Sequence, residues 1–315
     1  MKVLLVGCGS IGKRHLGNLS RLAAVEHIFV YSKVKDCLKG LKNKRKVSFV
    51  KSIDNIQADL AVIANETYKH IDTAVSLARK GTHLFIEKPL SHKLSSKLNL
   101  LKGIGKRKKI KIFVGYNLRF LGALKFIKTK LSQNVIGDIY FAKIEVGQYL
   151  PFWRGKRDYR ISYSASKKRG GGVSLDLSHE IDYMRYLFGD PSSWKVFKAK
   201  VSGLEIDTED VFEGIYRYDN FLCSVHLDYL QKDRKRFIRI EGSKGNITCD
   251  MVNEKITIKT GGKTRIISAK KLFDLNKTYS DEVLDFLKSI KNNSAPEITL
   301  NDGIKALELI EDKNV

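Results

Sequence analysis

The sequence predicts a two-part α/β protein: an N-terminal doubly wound parallel sheet, then a C-terminal α/β domain built on a large, open, mostly antiparallel sheet. Three observations carry this expectation. Short apolar runs alternate with helical patterns up to about residue 120, the spacing of βαβ units. Longer strands with period-two alternation follow from residue 137. The first apolar run, Lys2 to Val6, ends in Gly7, Gly9 and Gly12 at G-x-G-x-x-G spacing, where a strand turns sharply into a helix.

The expected strands of the first sheet are residues 2–6, 28–32, 48–50, 59–64, 83–87 and 111–115, with helices clearest at 68–80 and 93–102. In the second part, strands at 194–202, 209–218, 222–230, 235–241, 246–250 and 255–260 predict an antiparallel meander. Within 222–230, Cys223, Val225, Leu227 and Tyr229 share one face and Ser224, His226 and Asp228 the other. Tyr218 to Phe221 forms the hairpin turn before that strand. Such a sheet is covered by helices on one face and open on the other, and an open face of that size pairs with another subunit or closes a ligand cleft. Helices at 281–291 and 301–311 finish the chain. A length of 315 residues is long for one core, so the expected domains are 1–120 and 121–315.

Composition narrows the class. No apolar run approaches the roughly 18 residues that span a bilayer, and the first run stops at Gly7, too short for a signal-peptide core, so a cytoplasmic protein is expected. Cys8, Cys37, Cys223 and Cys249 are widely spaced, as reduced thiols are, without the pattern of a metal site or disulfide framework. The net charge of +24 includes basic clusters at Lys42–Lys46 and Lys102–Lys111. The cations are spread over the whole chain with no nucleic-acid motif, so a solvated surface that draws in anionic small molecules is expected, with neither nucleic acid nor membrane as partner.

The glycine spacing has a chemical reading. Gly7 permits the tight turn, Gly9 lets the backbone approach a pyrophosphate, and Gly12 lets the helix pack on the strand. Backbone N–H groups around Ser10 and Ile11 and the positive helix end then hold the anion. Ser32 and Lys33 follow the second strand, where a carboxylate would grip the ribose of NAD, so the 2′-phosphate of NADP is favoured slightly over NAD. Asp36 is the alternative, displaced acid. Lys88, in Glu87-Lys88-Pro89, ends the fifth strand and points toward the crevice of a doubly wound sheet; half-burial tunes such a lysine for proton transfer. In the run Gly170 to Asp182, Asp176, His179 and Asp182 recur every three residues and share a face if that run is helical. Two carboxylates and an imidazole there order a sugar hydroxyl and relay its proton, and no further ligand stands out to make them a metal site. Trp153, Arg154 and Tyr163 suit a sugar face and an anionic group.

Together these elements resemble the Gfo/Idh/MocA family of NAD(P)-dependent oxidoreductases over nearly the whole chain. The marks are Gly7 to His15, Ile63-Ala64-Asn65-Glu66-Thr67 with His70, Glu87-Lys88-Pro89, Gly115 to Phe120, the Gly170 to Asp182 run, Gly242-Ser243-Lys244-Gly245, and the closing Asp302-Gly303 helix. The resemblance implies a Rossmann domain followed by an α/β domain whose open sheet makes dimers or tetramers. It implies Lys88 as the proton-shuttling residue beside the nicotinamide and Asp176 and His179 as contacts to the reacting carbinol. It places Asn117 and Arg119 in the cofactor cleft with Asn65, Glu66, His70 and Glu87. Two features depart from the family pattern: Asp176 and His179 are three apart where many members have four, and Asn65-Glu66-Thr67 replaces a Thr/Pro-containing turn.

The expected function is hydride transfer between NADP or NAD and a secondary alcohol or ketone of a sugar or sugar nucleotide. The stretch before Gly170 resembles members of bacterial surface-sugar and nonulosonic-acid pathways. An inositol or free-sugar dehydrogenase, and a catalytically silent dinucleotide-binding regulator, are the alternatives.

Overall fold

The computed structural model describes residues 1–41, 43–153, 155 and 158–312; the side chains of Lys35 and Asp36 lie outside that description. Lys42, Arg154 and Asp36, each singled out in the sequence, therefore have no structural account here. The chain divides into two compact units, Met1–Asn117 with Tyr279–Leu307, and Leu118–Thr278 with Glu308–Val315.

The first unit is a parallel sheet of β1 (Lys2–Val6), β2 (His27–Tyr31), β3 (Val47–Phe49), β4 (Leu60–Ile63), β5 (His83–Glu87) and β6 (Ile112–Gly115). Their spatial order, β3-β2-β1-β4-β5-β6, reverses between β1 and β4, and all five pairings are parallel. The crossover helices are α1 (Ser10–Ser20), α2 (His70–Arg79) and α3 (Ser96–Lys108). These strands read as near-continuous apolar runs because both faces are buried, as in β4, where Leu60, Ala61, Val62 and Ile63 are all enclosed. Phe85 stacks on Phe113 at 4.8 Å between ring centres, and Phe286 packs on both. The strands follow the sequence expectation with ends shifted by at most one residue, whereas the helix expected at 93–102 lies later, at Ser96–Lys108.

The second unit is an eight-stranded sheet of β7 (Ile139–Gly147), β8 (Ser193–Ala199), β9 (Val211–Arg217), β10 (Leu222–Asp228), β11 (Lys235–Gly242), β12 (Gly245–Asp250), β13 (Lys255–Thr260) and β14 (Lys263–Ile267). Its helices are α4 (Gly122–Ser132), α5 (Val173–Asp176) and α6 (His179–Phe188); α7 (Leu275–Lys291) and α8 (Leu300–Leu309) complete the chain. The hairpin turn is where expected: Tyr218 N–H donates to the Phe221 carbonyl at 2.9 Å. The simple meander is not. β7 inserts between β11 and β10, pairing antiparallel with the first and parallel with the second. Strand pairing over so long a sequence separation leaves no trace in local periodicity. The edge strand β14 also escaped detection, because its mostly exposed residues show no buried alternation.

The alternation in β10 holds on one side: Cys223, Val225 and Leu227 are buried without exposure. On the other side, Ser224 and His226 are partly exposed, but Asp228 is buried, gripped by the N–H groups of Leu230 (2.6 Å) and Gln231 (2.8 Å). Two ion pairs tie α6 down. Arg119 donates through Nη2 to Asp182 Oδ1 at 2.7 Å and through Nε to Oδ2 at 2.9 Å, both residues being buried. Arg236 of β11 donates through Nε to Glu180 at 2.7 Å. Breaking such a pair strands a buried charge, which typically costs about 3–5 kcal/mol. Among the described residues, no helix is long and apolar enough to cross a membrane.

His226 on the outer sheet face gives stability a pH dependence. Its Nε2 meets Asp228 at 2.9 Å and its Nδ1 meets Glu213 at 2.5 Å. The Asp228 hydrogen bond, then that to Glu213, raise its pKa to about 9 against partial burial. A raised pKa stabilises fully below the unfolded value near 6.5 and is lost as pH climbs through the folded one. Thermal midpoints are therefore expected to fall between pH 6.5 and pH 9, and His226→Gln should flatten that decline in a melting series across the window.

Candidate active site

In a doubly wound sheet, ligands bind at the carboxyl ends of the strands where the order reverses. The candidate residues of the first unit gather at that edge. Gly7 follows β1, Ser32 follows β2, Asn65 follows β4, Lys88 follows β5 and Asn117 follows β6. A broad groove on the opposite edge, lined by Met1, Lys2, Glu26, Asp59, Lys80 and His83, carries none of them.

The glycine loop is built by close backbone approach. Gly7 has φ +92°, and a Cβ there would lie 2.5 Å from the Ala64 carbonyl oxygen. A Cβ on Gly12 would lie 2.2 Å from the Gly7 carbonyl oxygen, so α1 starts in backbone contact with the loop. Gly9 differs: a Cβ there would meet nothing within 4 Å. Gly9 is also the N-cap of α1, with no side chain capping the helix and no acidic residue in its first turn. Open space, uncapped N–H groups and a positive helix end fit the pyrophosphate of a dinucleotide. Ser10, Ile11 and Gly12 supply the first turn.

The remaining residues of this edge are mostly held by the protein. Ser32 Oγ accepts from the Val34 N–H at 3.0 Å, while Lys33 is exposed. Asn65 Nδ2 donates to Thr73 Oγ1 at 3.1 Å, and Glu66 accepts from Lys69 at 2.5 Å. His70 is buried, with Nδ1 3.0 Å from the Pro89 carbonyl and Nε2 3.1 Å from the Asn65 carbonyl. Its ring is therefore spent inside the protein rather than presented to a cofactor. Burial pulls its pKa down, against the two carbonyls. Asn117 is also buried.

Glu87 is buried as well; its Oε1 is 2.5 Å from His15 Nε2 and its Oε2 accepts the Lys88 N–H at 3.1 Å. The Lys88-Pro89 peptide is cis, and Lys88 itself is half-buried at the strand end. Behind Glu87 lies Glu282 of α7, fully buried, whose pKa is pushed well up by burial and then by the Glu87 charge. His15, Glu87 and Glu282 each bring one ligand-type atom within 4.8 Å of the others. The 2.5 Å contact is a hydrogen bond; ligand atoms on a tetrahedral zinc with bonds of about 2.0–2.2 Å sit farther apart.

In the second unit, Gly172 has φ +116° and a Cβ there would strike the Glu209 carboxylate at 2.5 Å; that carboxylate accepts from Ser174 Oγ at 2.6 Å. The expected continuous helix after the glycines is broken. α5 ends at Asp176, Leu177 and Ser178 intervene, and α6 begins at His179. The trio then separates in role. Asp182 belongs to the Arg119 ion pair, so Arg119, expected in a cofactor cleft, is spent on that anchor. Asp176 is buried and its Oδ2 accepts from the Tyr229 hydroxyl at 2.7 Å. His179 is half-buried. Trp153 stands edge-on to Tyr229 at 5.2 Å and donates from Nε1 to the Gln148 carbonyl at 2.9 Å. Tyr163 is half-buried, and its carbonyl oxygen would lie 2.2 Å from a Cβ on Gly171.

Tyr229, Glu209, Glu180 and Glu282 were missed as site or anchor residues. Tyr229 alone left a signal, as the last apolar-face member of 222–230.

Comparison with known proteins places the chain in a family and a fold. Residues 1–116 match the family described as Oxidoreductase family, NAD-binding Rossmann fold (GFO_IDH_MocA), and residues 128–312 match its C-terminal alpha/beta domain. The chain is 25% identical over 332 aligned positions to the myo-inositol 2-dehydrogenase of Thermotoga maritima, covering 98% of this chain and 94% of that one. It is 26% identical to the inositol 2-dehydrogenase of Rhizobium meliloti, with the same coverage. Levoglucosan dehydrogenase in complex with NADH and levoglucosan shares the fold at a TM-score of 0.83 and 19% identity, over 98% of this chain and 96% of that one. The WlbA dehydrogenase from Bordetella pertussis, in complex with NADH and UDP-GlcNAcA, does so at 0.81 and 19%, over 98% and 92%.

The loop geometry separates two substitutions. Gly9→Ala is expected to leave the thermal midpoint unchanged while weakening dinucleotide binding roughly tenfold or more, because its methyl enters the ligand's space. Gly12→Ala should cost roughly 1–3 kcal/mol of stability through overpacking. Melting curves and fluorescence titration with NADH read both.

Proposed function

The chain belongs to the Gfo/Idh/MocA oxidoreductase family, and from that premise we propose that it interconverts a secondary alcohol and a ketone on a sugar or sugar nucleotide. The observation that carries this reading is the meeting of an open, uncapped glycine loop and a half-buried lysine at one edge of the parallel sheet. When bound, the nicotinamide cofactor supplies or accepts the hydride.

The chain's own residues have separable tasks. The N–H groups at Gly9 to Gly12 bind the pyrophosphate. Lys88 Nζ holds the proton that leaves or joins the substrate oxygen, with His179 as the alternative base. Asp176, kept in place by the Tyr229 hydroxyl, orders a substrate hydroxyl. Trp153 and Tyr163 give the sugar an apolar face. The unit of Met1–Asn117 with Tyr279–Leu307 takes the cofactor and the other unit the substrate. Positioning supplies much of the rate, since effective molarities in such sites amount to about 7–11 kcal/mol.

The favoured substrate class is a sugar nucleotide of surface-polysaccharide or nonulosonic-acid biosynthesis, supported by aromatic and cationic side chains before Gly170 and by the likeness to a fold that holds UDP-GlcNAcA. A free polyol is the second reading, supported by the two inositol dehydrogenase relatives. The cofactor is NADP or NAD, with Ser32 and exposed Lys33 favouring the 2′-phosphate. The exposed outer face of the second sheet, with Phe197 and Ile215 beside His226, suits pairing with a second copy as a homodimer or homotetramer.

Lys88→Ala should cut turnover by roughly 10²–10⁴-fold and leave dinucleotide affinity within a few-fold; intact turnover in steady-state assays would sink the assignment. Lys33→Glu should move the kcat/KM ratio of NADP over NAD toward NAD by roughly tenfold or more, since a hydrogen bond to a charged group contributes about 1.5–3 kcal/mol. An unmoved ratio means Lys33 does not read the 2′-phosphate.

A further inference from the structure

Lys88 sits between two residues that are each held from inside the protein. On its N-terminal side, Glu87 is gripped by His15, whose Nε2 lies 2.5 Å from Oε1. The other Glu87 oxygen accepts the Lys88 backbone N–H at 3.1 Å, so the carboxylate joins the imidazole to the lysine's own main chain. On its C-terminal side, the Pro89 carbonyl faces His70 Nδ1 at 3.0 Å. His70 Nε2 lies 3.1 Å from the Asn65 carbonyl, so the ring sits between the turn after β4 and the turn after β5. Both imidazoles are almost wholly enclosed, His15 at 0% and His70 at 2% exposure. His15 is wedged edge-on against Phe85 at 4.9 Å. Neither ring can touch a bound ligand from these positions, yet each meets a main-chain or carboxylate partner one residue from Lys88.

We propose that His15 and His70 are positioning residues that clamp the main chain on either side of Lys88 and so fix where its ammonium is presented. The inference rests on the proposed role of Lys88. The two clamps work through different ring nitrogens. Among the described residues, His15 acts through Nε2, and its Nδ1 has no hydrogen-bond partner. His70 reaches Pro89 through Nδ1. An imidazole N–H is a donor only at the nitrogen carrying the proton, so the clamp requires the proton on Nε2 of His15 and on Nδ1 of His70. A lysine displaced by about 1 Å loses roughly 10²-fold in rate, which is the effect the clamps prevent.

The different nitrogens make the test reciprocal. A glutamine amide nitrogen falls near the position of a histidine Nε2, and an asparagine amide nitrogen near that of Nδ1. His15→Gln and His70→Asn are therefore expected to keep kcat within about threefold, whereas His15→Asn and His70→Gln should lose roughly ten- to a hundredfold. KM for the alcohol and Kd for NADH, measured on the full chain, should stay within about threefold in all four. Should one of the pair at a site fail to fold, the donor-retaining variant still has to keep its kcat. Equal activity of the two variants at a site, the reverse pattern, or losses that follow the melting temperature would overturn the proposal. Lys88→Ala assayed in parallel separates the two levels. Full activity there removes the role of Lys88 itself; an inactive Lys88→Ala beside insensitive histidine variants removes only the clamp.

Discussion

The contact between the start of α1 and the loop that follows β1 is the constraint on which the first unit depends. Gly12 and Gly7 approach so closely that a single methyl carbon at Gly12 would fall 2.2 Å from a carbonyl oxygen. That approach aims the first-turn N–H groups of α1 at the carboxyl edge of the sheet. It also leaves Gly9 facing open space, the one glycine of the three whose lack of a side chain the protein itself does not use. From there the strand order places the ends of β2, β4, β5 and β6 on the same edge, so residues far apart in sequence stand along one edge of the sheet. Backbone geometry makes the open, uncapped helix end, and the sheet decides which side chains stand beside it.

The chemistry of that edge depends on buried polar groups. Glu87 holds a hydrogen bond to His15 and another to the Lys88 N–H, with Glu282 behind it. Two neighbouring buried carboxyls cannot both carry charge cheaply, and the structure responds by pushing the Glu282 pKa well up. Burial of polar groups is expensive unless each is satisfied, and among the described residues both Glu282 oxygens and His15 Nδ1 lack a hydrogen-bond partner. The second unit uses the same device differently. There, Asp176 depends on Tyr229, and the neighbouring acids Glu180 and Asp182 are spent on arginines that fasten α6 to the sheet and to the turn at Arg119.

Most of the fold was legible in the sequence, because parallel strands buried on both faces read as apolar runs and the glycine spacing dictates a particular turn. The positions at strand ends followed from that frame. What stayed hidden was long-range. Tyr229 and Asp176 are 53 residues apart, Arg236 and Glu180 are 56, and Arg119 and Asp182 are 63. No local pattern announces such partners. The periodic spacing of Asp176, His179 and Asp182 suggested one helix face, and the break at Leu177 and Ser178 divides it, leaving one acid held by Tyr229 and one in an anchor. The insertion of β7 beside β10 was hidden for the same reason: periodicity reports which face of a strand is buried, not which strand lies next to it.

The central claim, that this protein moves a hydride between a nicotinamide and a sugar carbinol, is tested most directly by isotope transfer. Sugar nucleotides and free polyols carrying deuterium on each candidate carbinol carbon would be incubated with NAD or NADP and the wild-type protein, and the recovered dinucleotide analysed by mass. The account predicts that one labelled position passes its deuterium to the nicotinamide ring in proportion to product formed. Product formed without label on the nicotinamide, or tight dinucleotide binding with no transfer from any labelled carbinol, would contradict it.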